Sequence, residues 1–260
     1  MTPSTPDLER AGLRLDVDES GAVATVTLDR PQRRNAMTPS MWWGLAGIGA
    51  SLPPSVRVVI VRGEGPSFCA GIDTRLFTPE GLPGEDPLPD FTDPAIEEWI
   101  ASVQAGFTWL RRPDFVTIAA VHGHAIGGGF QLALSCDIRV LADDATLCMK
   151  EPALGLVPDL TGTKPLVEVV GLPRALELCL TTRTVAAEEA RELGLAEIVV
   201  PVTELDAAVS DLVAALLAVD AATARATKAL LQQAPAHNLA QQAAAERRAQ
   251  AELQRRRLGA

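Results

Sequence analysis

Two carboxylates, Glu151 and Asp159, stand in a largely apolar stretch of the sequence, LCMKEPALGLVPD at 147–159. A carboxylate between apolar segments loses hydration, which disfavours its charged form and raises its pKa. A raised pKa suits a group that takes and returns protons near neutral pH. The residues alone also fit two structural roles, a helix N-cap for Asp159 and a surface salt bridge for Glu151, so both interpretations stay open.

A run of three glycines offers a different kind of chemistry. Gly127, Gly128 and Gly129 follow the apolar run FVTIAAV at 115–121 and precede an apolar segment at 130–136. This order predicts a buried strand, a glycine turn and a buried helix. The start of a helix presents free N–H groups, and glycine lets a ligand approach the backbone closely. We hypothesise that the N–H of Gly128 binds an oxygen that becomes anionic. Close packing of helix and strand is the alternative.

Two further segments could contact a ligand. SFCAGID at 67–73 follows the predicted strand at 56–62, so its backbone N–H groups could face the same ligand. Upstream, Arg30, Arg33 and Arg34 concentrate positive charge beside Asn35 and Ala36. Arginines on a loop are also often simply solvated, and the sequence does not separate the two interpretations.

The elements that must position these residues follow from hydrophobic patterning. Strands are predicted at 23–28, 56–62, 115–121, 138–141 and 197–200. Thr38 and Pro39 have the types preferred at an N-cap and a first helical position, which predicts a helix to about Ala50. Thr203 similarly predicts the start of a helix reaching about 219. Further helices are predicted at 96–111, 188–193, 222–234 and 238–257, and residues 78–95 are predicted to form a long surface loop. Alternating strands and helices favour a wound α/β core.

Composition narrows the class of protein. The chain has 260 residues, 47% of them hydrophobic and 22% charged, with a formal net charge of −10. An acidic balance argues against a general nucleic-acid binder but allows a phosphorylated ligand at a local cluster of cations. Four cysteines without CxxC spacing predict reduced core residues and no metal site. No apolar run opens the sequence and none reaches the length of a membrane span, so we expect a cytoplasmic protein.

Taken together, five motifs resemble the crotonase superfamily, the enoyl-CoA hydratase/isomerase family, over roughly residues 13–258. They are RPQRRNAMT, SFCAGID, HGHAIGGGFQLALSCDIR, KEPALGLVPDLTGT and AAEEARELGLAEIVVP. The resemblance implies an α/β fold built as a spiral of ββα turns, followed by a C-terminal helical region. It implies an acyl-CoA site within residues 1–200 and trimerisation through residues 201–260, giving homotrimers or dimers of trimers.

The resemblance also implies site residues. A coenzyme A thioester would be the substrate, with no other cofactor. The backbone N–H groups of Ile72 and Gly128 match the family's oxyanion hole. Its CoA-contacting and substrate-contacting segments match seven positions: Arg33, Arg34, Ala36, Ala70, Asp73, Arg75 and Gly127.

At one position the sequence departs from the hydratase pattern. Hydratases of this family use two glutamates to hold and activate a water; the second matches Glu151, but the first falls on Gln131. An amide neither takes nor gives a proton at neutral pH. Asp159 matches a working aspartate of dienoyl-CoA and ring-epoxide isomerases and of a dehalogenase. We therefore expect an isomerase, with Glu151 and Asp159 moving protons and Gln131 positioning substrate or water. The alternatives are hydration by Glu151, a catalytically silent acyl-CoA binder and, ranked lower, nucleophilic catalysis by Asp159.

Overall fold

Two β-sheets carry the fold. The computed structural model describes residues 5–92 and 94–259. The main sheet has the order β1-β2-β3-β4-β6-β9, and every pair in it is parallel except β1 and β2. Its strands are β1 (Leu13–Val17), β2 (Val23–Leu28), β3 (Val58–Gly63), β4 (Val116–Val121), β6 (Ile138–Ala142) and β9 (Ile198–Val200). A small second sheet has the order β5-β7-β8, formed by β5 (His124–Ile126), β7 (Thr146–Cys148) and β8 (Val185–Ala186).

Helices alternate with the strands and then take over the C-terminal part of the chain. They are α1 (Thr5–Arg10), α2 (Pro39–Ser51), α3 (Ile96–Thr108), α4 (Gly128–Ser135), α5 (Thr163–Thr181), α6 (Ala187–Glu192), α7 (Leu205–Ala218), α8 (Ala221–Gln233) and α9 (Leu239–Leu258). Short 3-10 turns include Pro31–Arg33, Thr74–Phe77, Glu151–Leu154 and Val202–Glu204. The predicted α/β core with a helical C-terminal region is therefore confirmed.

The core lies on both faces of the main sheet. Successive side chains of a strand point to opposite faces. In β4, Ala119 and Val121 join the large cluster that includes Phe107 and Phe130, whereas Ile118 and Ala120 join a smaller cluster with Leu205 and Val209 of α7. Burial of each large side chain stabilises the fold by about 1.5–3 kcal/mol. Helix α4 is buried at every one of its residues, as its all-round apolar pattern predicts.

The two predicted helix starts have different outcomes. The Thr38 side chain accepts a hydrogen bond from the N–H of Met41, with Pro39 at the first helical position, so this cap is confirmed. The Thr203 prediction is wrong, because Val202–Glu204 forms a 3-10 turn and α7 begins at Leu205 without a side-chain cap. The turn is held by a tertiary contact, from the N–H of Val202 to Oδ1 of Asp143.

The predicted loop at 78–95 is attached to the body of the protein by one carboxylate and two leucine side chains. Its described residues, 78–92 and 94–95, contain no helix or strand. Glu85 accepts hydrogen bonds from both the N–H and the hydroxyl of Ser40, each 2.9 Å long. Because Ser40 lies in the first turn of α2, the carboxylate also meets the positive end of the helix dipole. Leu82 is buried and Leu88 packs against the core.

Helix α8 is joined to the sheet by polar contacts. Arg225, Lys228 and Gln232, spaced along one face, donate to the backbone oxygens of Asp114, Phe115 and Arg111 at 2.7–2.8 Å. The Lys228 ammonium also pairs with Asp137 at 2.6 Å. Among the described residues no single helix is long and apolar enough to cross a membrane; the segments 202–218 and 221–236, bent by 103°, pass that test only as a pair.

Candidate active site

The segment containing Ile72 runs alongside the segment that leads into α4. Cys69 pairs with Ala125, and the N–H of Ile126 donates to the backbone oxygen of Cys69 at 3.0 Å. On its other side Ile72 pairs in parallel with Met37. In a parallel pair, the residues on either side of Ile72 make the hydrogen bonds to Met37. The N–H of Ile72 therefore points away from Met37.

The N–H of Gly128 lies close to the backbone of Gly71, the residue before Ile72. Gly128 is the first residue of α4, so its N–H has no acceptor within the helix. A Cβ on Gly71 would lie 3.7 Å from the Gly128 nitrogen and 2.6 Å from the oxygen of Ile126. The nitrogen of Ile72 is bonded to the carbonyl carbon of Gly71, so the two backbone segments are in contact. The structure thus brings the predicted pair, Ile72 and Gly128, together.

This contact depends on the absence of a side chain at position 129, which gives a first prediction. A Cβ on Gly129 would lie 2.4 Å from the backbone oxygen of Cys69. We expect Gly129→Ala to destabilise the protein by roughly 1–3 kcal/mol or more, because backbone must move. Gly128→Ala is the control, since its Cβ meets only the side-chain ends of Leu160 and Met37 at 3.1 and 3.3 Å. Urea unfolding measures both, and equal stability of the two variants would contradict the packing argument.

Glu151 is buried beside these glycines. It follows β7 and opens the 3-10 turn Glu151–Leu154. A Cβ on Gly127 would lie 3.1 Å from its Oε1. Oε1 accepts a hydrogen bond from the Gln131 amide at 2.6 Å, whereas Oε2 is buried and has no partner among the described residues. Burial raises the pKa of Glu151 above its usual value, and the charge of Asp159 raises it further, against the opposing hydrogen bond from Gln131.

Asp159 is half-buried and close enough to Glu151 to act on its charge. Burial raises the pKa of Asp159 as well. Its backbone oxygen accepts a hydrogen bond from Gln104 of α3 at 2.6 Å. Neither of the two structural roles that the sequence allowed, a helix N-cap at Asp159 or a surface salt bridge of Glu151, is found in the described residues. The N-cap of α5 is Gly162, and Glu151 forms no salt bridge within the described part of the chain.

Gln131 connects Glu151 to the turn after Asp159. Its side chain is fully buried, and its Oε1 accepts hydrogen bonds from the N–H groups of Leu160 at 2.9 Å and Gly162 at 3.1 Å. An amide oxygen has two lone pairs, so both are used. One of the two N–H bonds of the amide nitrogen remains for water or substrate. The predicted role in holding substrate or water can therefore involve only that donor.

The residues expected to contact CoA lie on two segments that meet. Arg33 and Arg34 are exposed, Ala36 and Ala70 are half-buried, and the N–H of Ala70 donates to the oxygen of Arg34 at 2.9 Å. Arg34 has a φ of 49°, in the left-handed region. The exposed side chains and the close backbone together form a cationic edge beside the glycine segment.

The Asp73 carboxylate binds two arginine side chains within the protein and does not face a ligand alone. Its buried carboxylate accepts hydrogen bonds from Arg75 at 2.9 and 2.7 Å and pairs with Arg30 at 3.3 Å. Burial raises the pKa of Asp73, but these hydrogen bonds outweigh it and the pKa lies below its usual value. As a carboxylate it would repel a phosphate, so its contribution is to hold Arg75. The sequence gives no sign of the Arg30–Asp73 pair or of the contact from Gln104, because both join distant segments.

The raised pKa values of the two carboxyl groups give a second prediction. A group whose pKa is higher in the folded state contributes stability that is complete below its unfolded pKa, about 4.5 for a glutamate. That contribution is lost as the pH rises through the folded pKa. The melting temperature of Glu151→Gln, relative to the parent, should therefore rise between pH 4 and 7. Calorimetry across that range tests it, and a difference that does not change with pH would contradict it.

Comparisons with known proteins fit this geometry. The family model for enoyl-CoA hydratase/isomerase matches residues 18–257. A candidate enoyl-CoA hydratase from Thermobifida fusca YX, solved in complex with CoA, is 59% identical and has a TM-score of 0.95 over 100% of this chain and 99% of that one. A second structure with the same description, in complex with acetoacetyl-CoA, is 61% identical and has a TM-score of 0.92 over 97% of this chain and 98% of that one. These matches confirm the predicted α/β crotonase fold with C-terminal helices, which the structure shows to contain two sheets.

The name of one curated relative states a more specific activity for that protein. The peroxisomal Δ3,5-Δ2,4-dienoyl-CoA isomerase of Arabidopsis thaliana is 34% identical over 188 residues, which is 70% of this chain and 66% of the relative. The alignment thus leaves about a third of the relative unmatched.

No group of three or more His, Cys, Asp or Glu side chains in the described part of the chain could hold a metal ion.

Proposed function

The chain belongs to the enoyl-CoA hydratase/isomerase family, and we propose that its reaction is the migration of a double bond in an enoyl-CoA thioester. The observation that carries this proposal is a buried carboxyl group, Glu151, with a half-buried one, Asp159, near enough to act on its charge. Oε2 of Glu151 has no partner among the described residues, the charge of Asp159 acts on Glu151, and burial raises the pKa of both groups. Such groups exchange protons with carbon acids near neutral pH. An amide at position 131 leaves this pair as the acid and base.

In this proposal the thioester oxygen lies between the N–H groups of Ile72 and Gly128. One carboxylate removes a proton from carbon 2 of a 3-enoyl thioester, and the electron pair spreads onto the thioester oxygen as a dienolate. A carboxylic acid then returns a proton to carbon 4, and the double bond ends between carbons 2 and 3. Atoms and charge balance, because one proton leaves and one arrives. Each N–H donor to such an oxyanion is worth about 3 kcal/mol.

A CoA thioester as ligand is supported by the two Thermobifida fusca complexes, with CoA and with acetoacetyl-CoA. The cationic edge formed by Arg33 and Arg34 suits the CoA phosphates, and Arg75, which Asp73 holds in place, is a further cation for them. Gly127 and Ala70, which the resemblance places in contact with the substrate, carry no side chain larger than a methyl group. The Arabidopsis relative, by its name a dienoyl-CoA isomerase, supports migration, whereas the Thermobifida fusca protein is described as an enoyl-CoA hydratase.

We further propose that the chain assembles into homotrimers or dimers of trimers. Large apolar side chains are exposed along α5 and the turn before it, among them Val157 at 72%, Leu172 at 58% and Leu180 at 71%. Exposed apolar surface of this kind marks protein–protein contact. It lies outside residues 201–260, and trimerisation through that region stays a prediction. Sedimentation equilibrium tests the assembly, and a monomer at micromolar concentration would contradict it.

Hydration is the second candidate, and a specific observation favours it. The free Oε2 of Glu151 and the remaining N–H of Gln131 could hold one water between them. The two candidates are separated by incubating the protein with 3-enoyl-CoA and 2-enoyl-CoA of several chain lengths and analysing the products by mass. Hydration adds the mass of one water, whereas migration leaves the mass unchanged and is detected by NMR from the changed positions of the vinylic protons. Hydroxyacyl-CoA without migration would overturn the proposal in favour of hydration, and binding without turnover would favour a silent acyl-CoA binder.

A further inference from the structure

The Gln131 side chain is oriented by its surroundings without ambiguity. Two backbone N–H groups, from Leu160 and Gly162, point at one atom of the amide, and only its oxygen can accept from them. The nitrogen must then face Glu151, to whose Oε1 it donates at 2.6 Å. Because the Gln131 N–H occupies one lone pair of Oε1 and Oε2 has no partner among the described residues, Oε2 is the oxygen left open to a proton taken up by Glu151.

The two N–H groups converge on Gln131 because the turn between them is bent unusually. Thr161 has a φ of 67°, in the left-handed region that residues with a branched side chain seldom adopt. Such a conformation persists when the surrounding structure holds it. Gly162 also packs closely, since a Cβ there would lie 2.6 Å from Cγ of Gln131. Asp159 stands directly before this turn, so the amide fixes the segment that carries the second carboxylate.

We infer that Gln131 is a positioning residue, which fixes Oε2 as the proton-accepting oxygen of Glu151 and holds the turn that follows Asp159. The inference rests on the proposed function and deepens it. It differs from a role in holding substrate, because three of the hydrogen bonds of the amide are made within the protein. It also explains how one glutamate can serve as a base in this pocket: its partner is neutral and does not compete for the proton.

The test is the variant Gln131→Glu, which keeps the shape and adds a negative charge. The new carboxylate would be held by the N–H groups of Leu160 and Gly162 and would face Oε1 of Glu151 at the same short distance. Two carboxylates so close cannot both ionise near neutral pH, so the pair shares a proton. The acidic limb of the pH profile of kcat for migration should move up by at least about one pH unit, a tenfold loss of rate within that limb. KM should change little.

A second variant and a second measurement keep the inference testable if Gln131→Glu folds poorly. Gln131→Met removes the hydrogen bond that stabilises the Glu151 carboxylate, so it should also move the acidic limb to higher pH. Infrared difference spectra need no activity: Gln131→Glu should show one more protonated carboxyl group at pH 7 than the parent.

The outcomes separate the inference from the function on which it rests. If the parent moves the double bond but both variants keep its pH profile, with only lower rates, Gln131 is merely structural and the inference fails. If the infrared spectra show no extra protonated carboxyl group, it fails as well. If the parent itself does not catalyse migration, the proposed function fails, and the infrared result alone decides whether Gln131 controls the protonation of Glu151.

Discussion

Replacing Asp159 with Asn should lower the rate of double-bond migration by about 10²–10⁴-fold and leave the affinity for a CoA thioester almost unchanged. The amide has the same shape as the acid but cannot take or give a proton near neutral pH. The backbone oxygen of residue 159 can keep its hydrogen bond from Gln104, so the fold of this segment should be retained. General acid–base groups contribute about 10²–10⁴-fold to rate, and a loss of that size is expected.

The measurement pairs kcat for migration with the Kd for a non-reactive acyl-CoA, obtained by calorimetry. Asp211→Asn is the matched control, since it makes the same chemical change at an exposed position on α7. That control should keep the parent values. A parallel loss of affinity and rate in Asp159→Asn would show that Asp159 serves binding or folding instead of proton transfer.

Gly128→Pro should lower the rate by about 10²–10³-fold or more, because it removes one donor to the developing oxyanion. Position 128 is the first residue of α4, where proline is tolerated because the missing N–H has no helical partner. The fold should therefore survive a change that removes the N–H and places a methylene group near the oxygen. This combination makes the position unusually suitable for testing a backbone donor.

Gly128→Ala is again the control, since alanine keeps the N–H and its Cβ meets only flexible side-chain ends. It should retain the rate within about tenfold, a loss of roughly 1.4 kcal/mol in transition-state stabilisation at most. Rates are measured on enzyme shown by circular dichroism to be folded. Equal rates for the proline and alanine variants would exclude the N–H of Gly128 from the reaction.

The sequence predicts those parts of the fold that depend on short-range patterns. The β-branched run of β4 and the Thr38–Pro39 helix start are both where local chemistry places them. The burial of Glu151 also follows from its apolar neighbours. At Thr203 a locally plausible cap fails, because the contact between Val202 and Asp143, 59 residues apart, fixes a different turn.

The site is harder to predict because its contacts join distant parts of the chain. Gln131 and Glu151 are 20 residues apart, and Arg30 and Asp73 are 43 apart. Neither distance leaves a periodic signal in the sequence. A joint role for the N–H groups of Ile72 and Gly128 is predictable only from the resemblance to a known family. The glycine run by itself also fits close packing of helix and strand. The glycine run has two roles: Gly129 allows close packing against Cys69, and the N–H of Gly128 is proposed to bind the oxyanion.

The central claim is that this site moves protons between carbons, and turnover in heavy water tests it most directly. The protein is incubated with 3-enoyl-CoA in D₂O, and the α and γ positions are followed by NMR and mass spectrometry. Proton transfer through Glu151 and Asp159 predicts that deuterium enters the acyl group together with migration of the double bond. Hydration of added 2-enoyl-CoA to a hydroxyacyl-CoA without any migration of the double bond in 3-enoyl-CoA, or tight binding with no deuterium uptake at any chain length, would contradict it.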